Sequence, residues 1–347
     1  MKHGTEALHI AIPGLLNRWP VQDQPGFPRP RCAALERLLA RATPRSVGTH
    51  GPDGTLFALF GLPAGNDSSL PVAAVTRLYD AGEDARNGWW LRVDPVHLRA
   101  DLHTVRLFEF GSADIDAAEA QSLVAEINTM FGAEGWILDA PSPTRWYLRL
   151  EDDPRLQTHS LHEVRGRDLN VFLLSGAEGR RWNGRLTEIQ MLLHASPVNA
   201  DRERSAKASV NGIWPWGGGR LPRGANIASA IFADDALTRG LARLAGVAFS
   251  ALPKTAVEWR EATKGGSGSL VVLNTVRDAR SNEDPHLWAE EVEALEAGWM
   301  ADCLRWLQAG VLDEMSIYVG DGRTFDVAGR GLRRFWRRTR PLVHYLA

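Results

Sequence analysis

The sequence contains only two cysteines in 347 residues, Cys32 and Cys303. Two thiols so far apart build neither a disulfide framework nor a cysteine-based zinc module, and they suit a reducing compartment. An excess of one charge is also missing: 40 Lys+Arg against 42 Asp+Glu leaves a net charge of −2. The chain as a whole is therefore not a general polyanion binder, and any basic surface must be local. No apolar run approaches the ~18 residues that suggest a membrane span. The first such run is cut at Pro13, too early for a signal peptide. These absences lead to the expectation of a cytoplasmic protein with no membrane span. Internal repeats and low-complexity segments are absent too. What is present is ordinary globular composition, 44% hydrophobic and 24% charged, enough for a sizeable core in one large α/β unit or two domains.

The apolar run at 8–12 predicts a buried strand ended by Pro13-Gly14. Pro20, Pro25, Pro28 and Pro30 mark a loop. Residues 32–41 place apolar side chains at i, i+3, i+4 and i+7 and predict a helix. Residues 55–61 fit a strand or a helix start, 65–69 a loop, and 72–79 a helix. The texture changes at Trp89. Residues 90–93 and 105–110 alternate as half-buried strands do, 114–131 form an amphipathic helix with an acidic first turn, and 145–150 alternate again. A polar stretch at 151–168 and a helix at 180–194 follow. Later come a turn or strand end at 213–219, a helix at 234–246, and a strand at 270–273. A long helix at 287–307 and a strand at 315–319 complete the pattern, with 265–269 as a flexible linker. Strands alternating with helices around a different module predict an α/β core interrupted by an insertion. The expected boundaries are 1–88 and 210–347 for the core and 89–209 for an inserted α+β domain.

The most distinctive segment runs from His194 to Pro222. It holds Asn199, Arg202, Arg204, Asn211, Trp214, Trp216 and the triplet Gly217, Gly218, Gly219. Asn and Arg side chains fork onto carboxylates or phosphates. Glycines let main-chain N–H groups approach a ligand. The same residues also suit a tight structural turn with tryptophans filling a crevice. No Gly-Lys-Ser/Thr follows, so this is not a P-loop. The binding expectation is that Asn199, Arg202, Asn211 and the glycine turn converge at the mouth of a cleft between core and insert. Trp214 and Trp216 would wall it, and a small planar or amphipathic anion would be the ligand. His159 and His162 are spaced like a metal pair without a third ligand. No Gly-x-Ser-x-Gly or His-Glu-x-x-His occurs. Near the end stand Arg330, Arg333, Arg334, Arg337, Arg338 and Arg340, with Phe335 and Trp336 interleaved. They suit a protein or nucleic-acid partner, or internal pairing with Glu290, Glu291, Glu293 and Glu296.

Several of these segments resemble known families. His194-Ala195-Ser196-Pro197-Val198-Asn199 with Arg202, then Val210-Asn211 and Trp216-Gly217-Gly218-Gly219, are similar to a region of the archaeal-type cofactor-independent phosphoglycerate mutases. The run 123–128 and the strand 145–148 match that family's inserted domain in order. Closer still is the RpfE-type bacterial regulatory protein family, over roughly residues 5–340. Trp90-Leu91-Arg92-Val93-Asp94-Pro95-Val96-His97-Leu98, Arg145-Trp146-Tyr147-Leu148-Arg149-Leu150 and Glu188-Ile189-Gln190-Met191-Leu192-Leu193-His194 resemble its hallmarks. The resemblance implies an alkaline-phosphatase-like α/β core sheet with helices on both faces and an inserted α+β domain. The chemistry of that superfamily needs two divalent metals and a Ser or Thr nucleophile. Here Pro13 stands where the first metal-binding Asp is expected, and Pro52 where the nucleophile is. Asp278 and His286 are wrongly spaced for the later ligands, Gly320-Asp321-Gly322 lacks the expected His, and Trp216 replaces an Arg. The expectation is a non-catalytic regulatory or ligand-binding protein with no catalytic residue, metal or cofactor. The alternative is an active phosphomutase or phosphatase using manganese or zinc.

Overall fold

The structure is a computed structural model that describes residues 7–48, 51–63, 69–101, 104–227, 230–264, 268–281, 283–334 and 336–346. The chain forms two compact units, one of residues 1–64 and 224–347, the other of residues 65–223. The first unit opens with β1 (Ala7–Ala11), α1 (Ala33–Arg41), β2 (Thr43–Ser46) and α2 (Pro52–Leu59). The second holds α3 (Val72–Ala81), β3 (Trp89–Ala100), β4 (Val105–Glu109), α4 (Ala117–Phe131), β5 (Ile137–Ser142) and β6 (Arg145–Leu150). It continues with β7 (Leu156–Gln157), α5 (Leu161–Val164), β8 (Ser175–Gly176), α6 (Gly179–His194), α7 (Pro197–Arg204) and β9 (Gly212–Gly219). The first unit resumes with β10 (Ala230–Phe232), α8 (Ala236–Leu244), β11 (Phe249–Ser250), α9 (Ala256–Thr263) and β12 (Ser269–Val272). It ends with α10 (Thr275–Ser281), α11 (Pro285–Leu295), α12 (Ala301–Ala309), β13 (Glu314–Tyr318) and β14 (Arg323–Ala328).

The first unit is a mixed α/β layer structure, a central sheet flanked by helices. Its strand order is β11-β10-β12-β1-β13-β14-β2. The five strands from β11 to β13 are parallel, and β14 and β2 add antiparallel pairs at one side. Leu8, Ile10, Val271, Met315, Ile317 and Val327 share one face and pack with Leu35, Trp259, Trp288 and Cys303 in a single core. The burial of β12 on both faces explains its uninterrupted apolar run. Helix α1 has no side-chain cap at Cys32. Its orphan N–H groups are met from a distance: Glu296 accepts from Ala34 N at 2.7 Å and Leu35 N at 2.9 Å, and Glu293 from Arg31 N at 2.8 Å. Two members of the acidic cluster, Glu293 and Glu296, thus serve the start of a helix. The long helix expected at 287–307 is divided by a π-helical turn at Glu296–Met300. The ambiguous run at 55–61 starts inside α2, because Gly51 at φ 107° turns the chain and Pro52 presets the first helical position.

In the second unit β3 is the hub. It pairs with β9 over 90–96, with β6 over 89–92 and with β4 over 96–100, all antiparallel, and β5 flanks β6. Helix α4 begins with a capping box between Asp116 and Glu119. Beneath it Phe131, Trp136 and Trp182 stack in sequence, with ring centroids 5.1 and 4.9 Å apart. The expected boundaries at 88/89 and 209/210 differ from the observed division. α3 and β9 belong to the second unit, because β9 is a full partner of β3 and α3 packs on both strands. Accordingly 213–219 is a strand, not a turn. Residues 265–267 of the expected linker, 65–68 of the expected loop and Phe335 of the tail lie outside the described residues.

Candidate functional site

The segment expected to bind a ligand is used first to hold the second unit together. Asn199 is buried; its amide donates to Leu193 O at 2.7 Å and Val210 O at 2.9 Å, and accepts from Val210 N at 2.8 Å. Both its N–H bonds are therefore committed. Asn211 accepts from Leu98 N and donates to Leu98 O. Arg202, only 2% exposed, donates to Ala208 O, Asp114 O and the Glu119 carboxylate. The glycines are packing requirements: Gly217 has φ 64°, and a side chain at Gly218 would meet Trp89 at 2.1 Å. Arg202 lines one cavity and Gly218 another.

The tryptophans are likewise internal. Trp214 Nε1 donates to His159 O at 2.9 Å and Trp216 Nε1 to Asp94 Oδ2 at 2.7 Å. Asp94 also accepts two bonds from the Arg92 guanidinium, and both side chains are almost wholly buried. Burial pushes the Asp94 carboxyl upward, while Arg92, the Trp216 indole and the Trp146 N–H pull it down. Arg92 lies 5.1 Å from the Trp216 ring and 5.5 Å from that of Tyr147. Where the resemblance leads one to expect an Arg, the indole instead donates a hydrogen bond to the carboxylate of a buried ion pair. His159 bonds Glu163 at 3.2 Å through Nδ1.

In the first unit, ligands of open parallel sheets belong at the carboxyl ends of the strands. Here three loops at that edge lie close together. A side chain at Gly320 (φ 83°), after β13, would lie 3.3 Å from Pro13 Cα and 3.3 Å from Pro52 Cα and Cβ. The three loops that would frame a metal and a nucleophile thus touch one another. Asp53, 2% exposed in the first turn of α2, faces Arg277 of α10 at 3.0 Å. One strand over, Asn274 donates to Asp235 at 3.2 Å, and its buried Oδ1 has no partner among the described residues. No group of three or more His, Cys, Asp or Glu able to hold a metal occurs among the described residues.

The arginine tail folds back on its own unit. Arg334 donates to Thr43 Oγ1 at 3.0 Å, Arg337 to Ala42 O, and Arg41 to the carbonyls of Arg334 and Arg337. Beside it a cavity of about 390 Å³ is lined by His9, Arg45, Ser316, Asp326, Arg330 and Arg334. In the second unit, a cavity of about 460 Å³ lies between the β3–β4 hairpin and the α7–β9 loop, lined by His97, Arg99, Phe108, Phe110, Arg202 and Lys207. The sequence reading missed this last group. The signal was the alternation in Arg106, Phe108 and Phe110, which puts two aromatic rings on the strand face opposite buried Leu107.

This architecture defines an α/β protein with a largely parallel central sheet and a second, antiparallel α+β unit. No family model and no curated protein matches the chain. Several solved structures align with it, among them the following two. The PH0037 protein from Pyrococcus horikoshii superposes with a TM-score of 0.55 at 15% identity, over 94% of this chain and 88% of that one, and shares the fold. The cofactor-independent phosphoglycerate mutase from Thermoplasma acidophilum DSM 1728 aligns over 94% of this chain and 90% of its own. Its TM-score is 0.43 at 14% identity, below the level at which a shared fold follows. No helix among the described residues is long and apolar enough to cross a membrane.

Proposed function

We propose that this chain is a non-catalytic binding protein with a regulatory role, built on a phosphatase-type α/β scaffold whose reaction centre has been filled. One observation carries the reading: Pro13, Pro52 and the Gly320 turn close on each other where two metals and a hydroxyl nucleophile would have to sit. Neither proline ring has a ligand atom, and Arg277 brings a positive charge to Asp53, the nearest buried carboxylate in that helix start. A dication beside that guanidinium would be repelled. The resemblance to the RpfE-type family supplies regulation as the role, and a small anion as the ligand follows from the arginine-lined cavities. A nucleic-acid role for the tail gains less support, because Arg334 and Arg337 already bond their own unit.

The test is metal analysis of protein purified without chelator and then loaded with manganese or zinc, with assays of phosphoglycerate mutase and phosphatase turnover. The reading expects substoichiometric metal and no metal-dependent turnover. Stoichiometric metal together with restored mutase activity would sink it.

A further inference from the structure

We propose that the cavity between the β3–β4 hairpin and the α7–β9 loop binds a small anion that carries a flat ring, an aryl or heteroaryl phosphate or carboxylate. The inference rests on the non-catalytic reading above and names the ligand class for it. The cavity holds about 460 Å³, within the usual size of small-molecule sites. One wall is aromatic. Phe108 faces His97 in register across the two strands and is 38% exposed, so its ring offers an aromatic face to the cavity. Phe110 beside it is braced by Arg202, whose guanidinium lies 5.3 Å from the ring and is itself fixed by Glu119 and two carbonyls.

The charge inside the cavity favours an anion. The side chains of Arg99 and Lys207 have no ion pair or hydrogen bond among the described residues, although both residues line it. The acids nearby are engaged: Glu109 pairs with Arg165, and Asp114 accepts from Gly111 N at 2.6 Å. His97 holds Ser209 O at 2.8 Å through Nδ1, which assigns that nitrogen as the donor and leaves Nε2 as a further polar group. Two exposed cations and an aromatic wall match a ring with a charged group attached. A bare anion would leave Phe108 uncovered, and a neutral ring would leave Arg99 and Lys207 unpaired.

The experiment is calorimetry on the full chain with three probes: 4-nitrophenyl phosphate, 4-nitrobenzoate and inorganic phosphate. At least one aryl probe should bind, and inorganic phosphate should bind at least roughly tenfold more weakly. The ratio of the two aryl probes tells which anionic group is preferred. Arg99→Ala and Lys207→Ala should each weaken aryl binding roughly three- to tenfold, and Phe108→Ala roughly tenfold. Absence of binding by both aryl probes overturns the proposal, as does affinity unchanged in the Arg99→Ala/Lys207→Ala double variant. Release of 4-nitrophenolate, read by absorbance in the same samples, bears on the non-catalytic reading alone. Turnover that survives the double variant sinks that reading and leaves the binding result to be judged separately.

Discussion

The side-chain amide of Asn211 grips both backbone groups of Leu98, accepting from its N–H at 2.6 Å and donating to its C=O at 2.8 Å. In an antiparallel ladder that pair of bonds comes from a facing residue. Here a side chain extends β9 past Gly212, its last main-chain pairing position along β3. Asn199 does the same for Val210, and Asn128 for Leu138. With Gln121 donating to Ala140 O, Asn128 covers the outer edge of β5, which would otherwise invite another strand. Amide groups that looked like ligand-binding forks are therefore substitutes for main chain.

Loss of these amides should cost stability before it costs any binding. Asn199→Ala leaves the N–H and C=O of fully buried Val210 without their partners, an expected loss of about 2–4 kcal/mol. Asn211→Ala, at a half-buried position, should cost about 1–2 kcal/mol. Urea unfolding of both variants checks the order. A change under about 0.5 kcal/mol for Asn199→Ala would mean that water replaces the clamp and that the amide is free for another role.

Replacing Trp216 by arginine, the residue expected from the family resemblance, should not create a phosphate site. The indole donates to Asp94 and lies on the Arg92 guanidinium. A second guanidinium there would face Arg92 across one buried carboxylate. Trp216→Arg is expected to destabilise by about 3–5 kcal/mol, against about 1–3 kcal/mol for Trp216→Phe, which keeps the ring and loses one bond. Thermal melts separate the two. A Trp216→Arg protein as stable as wild type that binds 3-phosphoglycerate would refute this account.

Local pattern was legible wherever burial imposed a simple period. The run at 8–12 became the strand β1, and the amphipathic stretch at 114–131 became α4, which starts three residues later at Ala117. Pairing partners were not legible. Nothing in Gly212–Gly219 says that it lies along β3, since that depends on strands more than a hundred residues away. The roles of the site candidates were not legible for a related reason. Asn, Arg and Gly serve ligands and backbone with the same bonds, and only the fold shows that Val210, Leu98 and Ala208 already hold them. That Pro13 and Pro52 lack ligand atoms is legible from residue type, but their closeness to Gly320 is not.

Acid should weaken the first unit through His9. The imidazole faces Tyr318 OH at 3.1 Å, with Ser316, Asp326, Glu314 and Arg45 around the same cavity. Its pKa is lowered from 6.5, chiefly by burial; Glu314 and Asp326 oppose that shift and Arg45 adds to it. A histidine depressed in the folded state binds protons more readily when unfolded. Its contribution is therefore fully present above about pH 6.5 and is lost as pH falls through the folded value. Urea midpoints should drop more between pH 7.5 and 5 for wild type than for His9→Gln. Equal drops would show that His9 protonates freely in the folded protein.

The two cysteines should be inert until the first unit opens. Burial pushes the Cys303 thiol up to about 12. Cys32 is raised as well, first by burial and then by Glu36, Glu296 and Glu293. Only the thiolate attacks an alkylating agent, and a group with a pKa near 12 is ionised to roughly one part in ten thousand at pH 8. Both side chains are also enclosed in the core beneath α1 and α12, so reagent and hydroxide are excluded together. Iodoacetamide at pH 8 should therefore leave native protein unmodified and label both positions in denaturing urea, with intact-mass spectrometry reading zero and two additions. Labelling between these limits should follow the unfolding curve, because access requires opening of the same core that holds Leu35 and Leu307. Fast alkylation of Cys303 in buffer would contradict the packing. Fast alkylation of Cys32 alone would place α1 among the elements that open locally, and would single out the distant caps from Glu293 and Glu296 as its weak attachment.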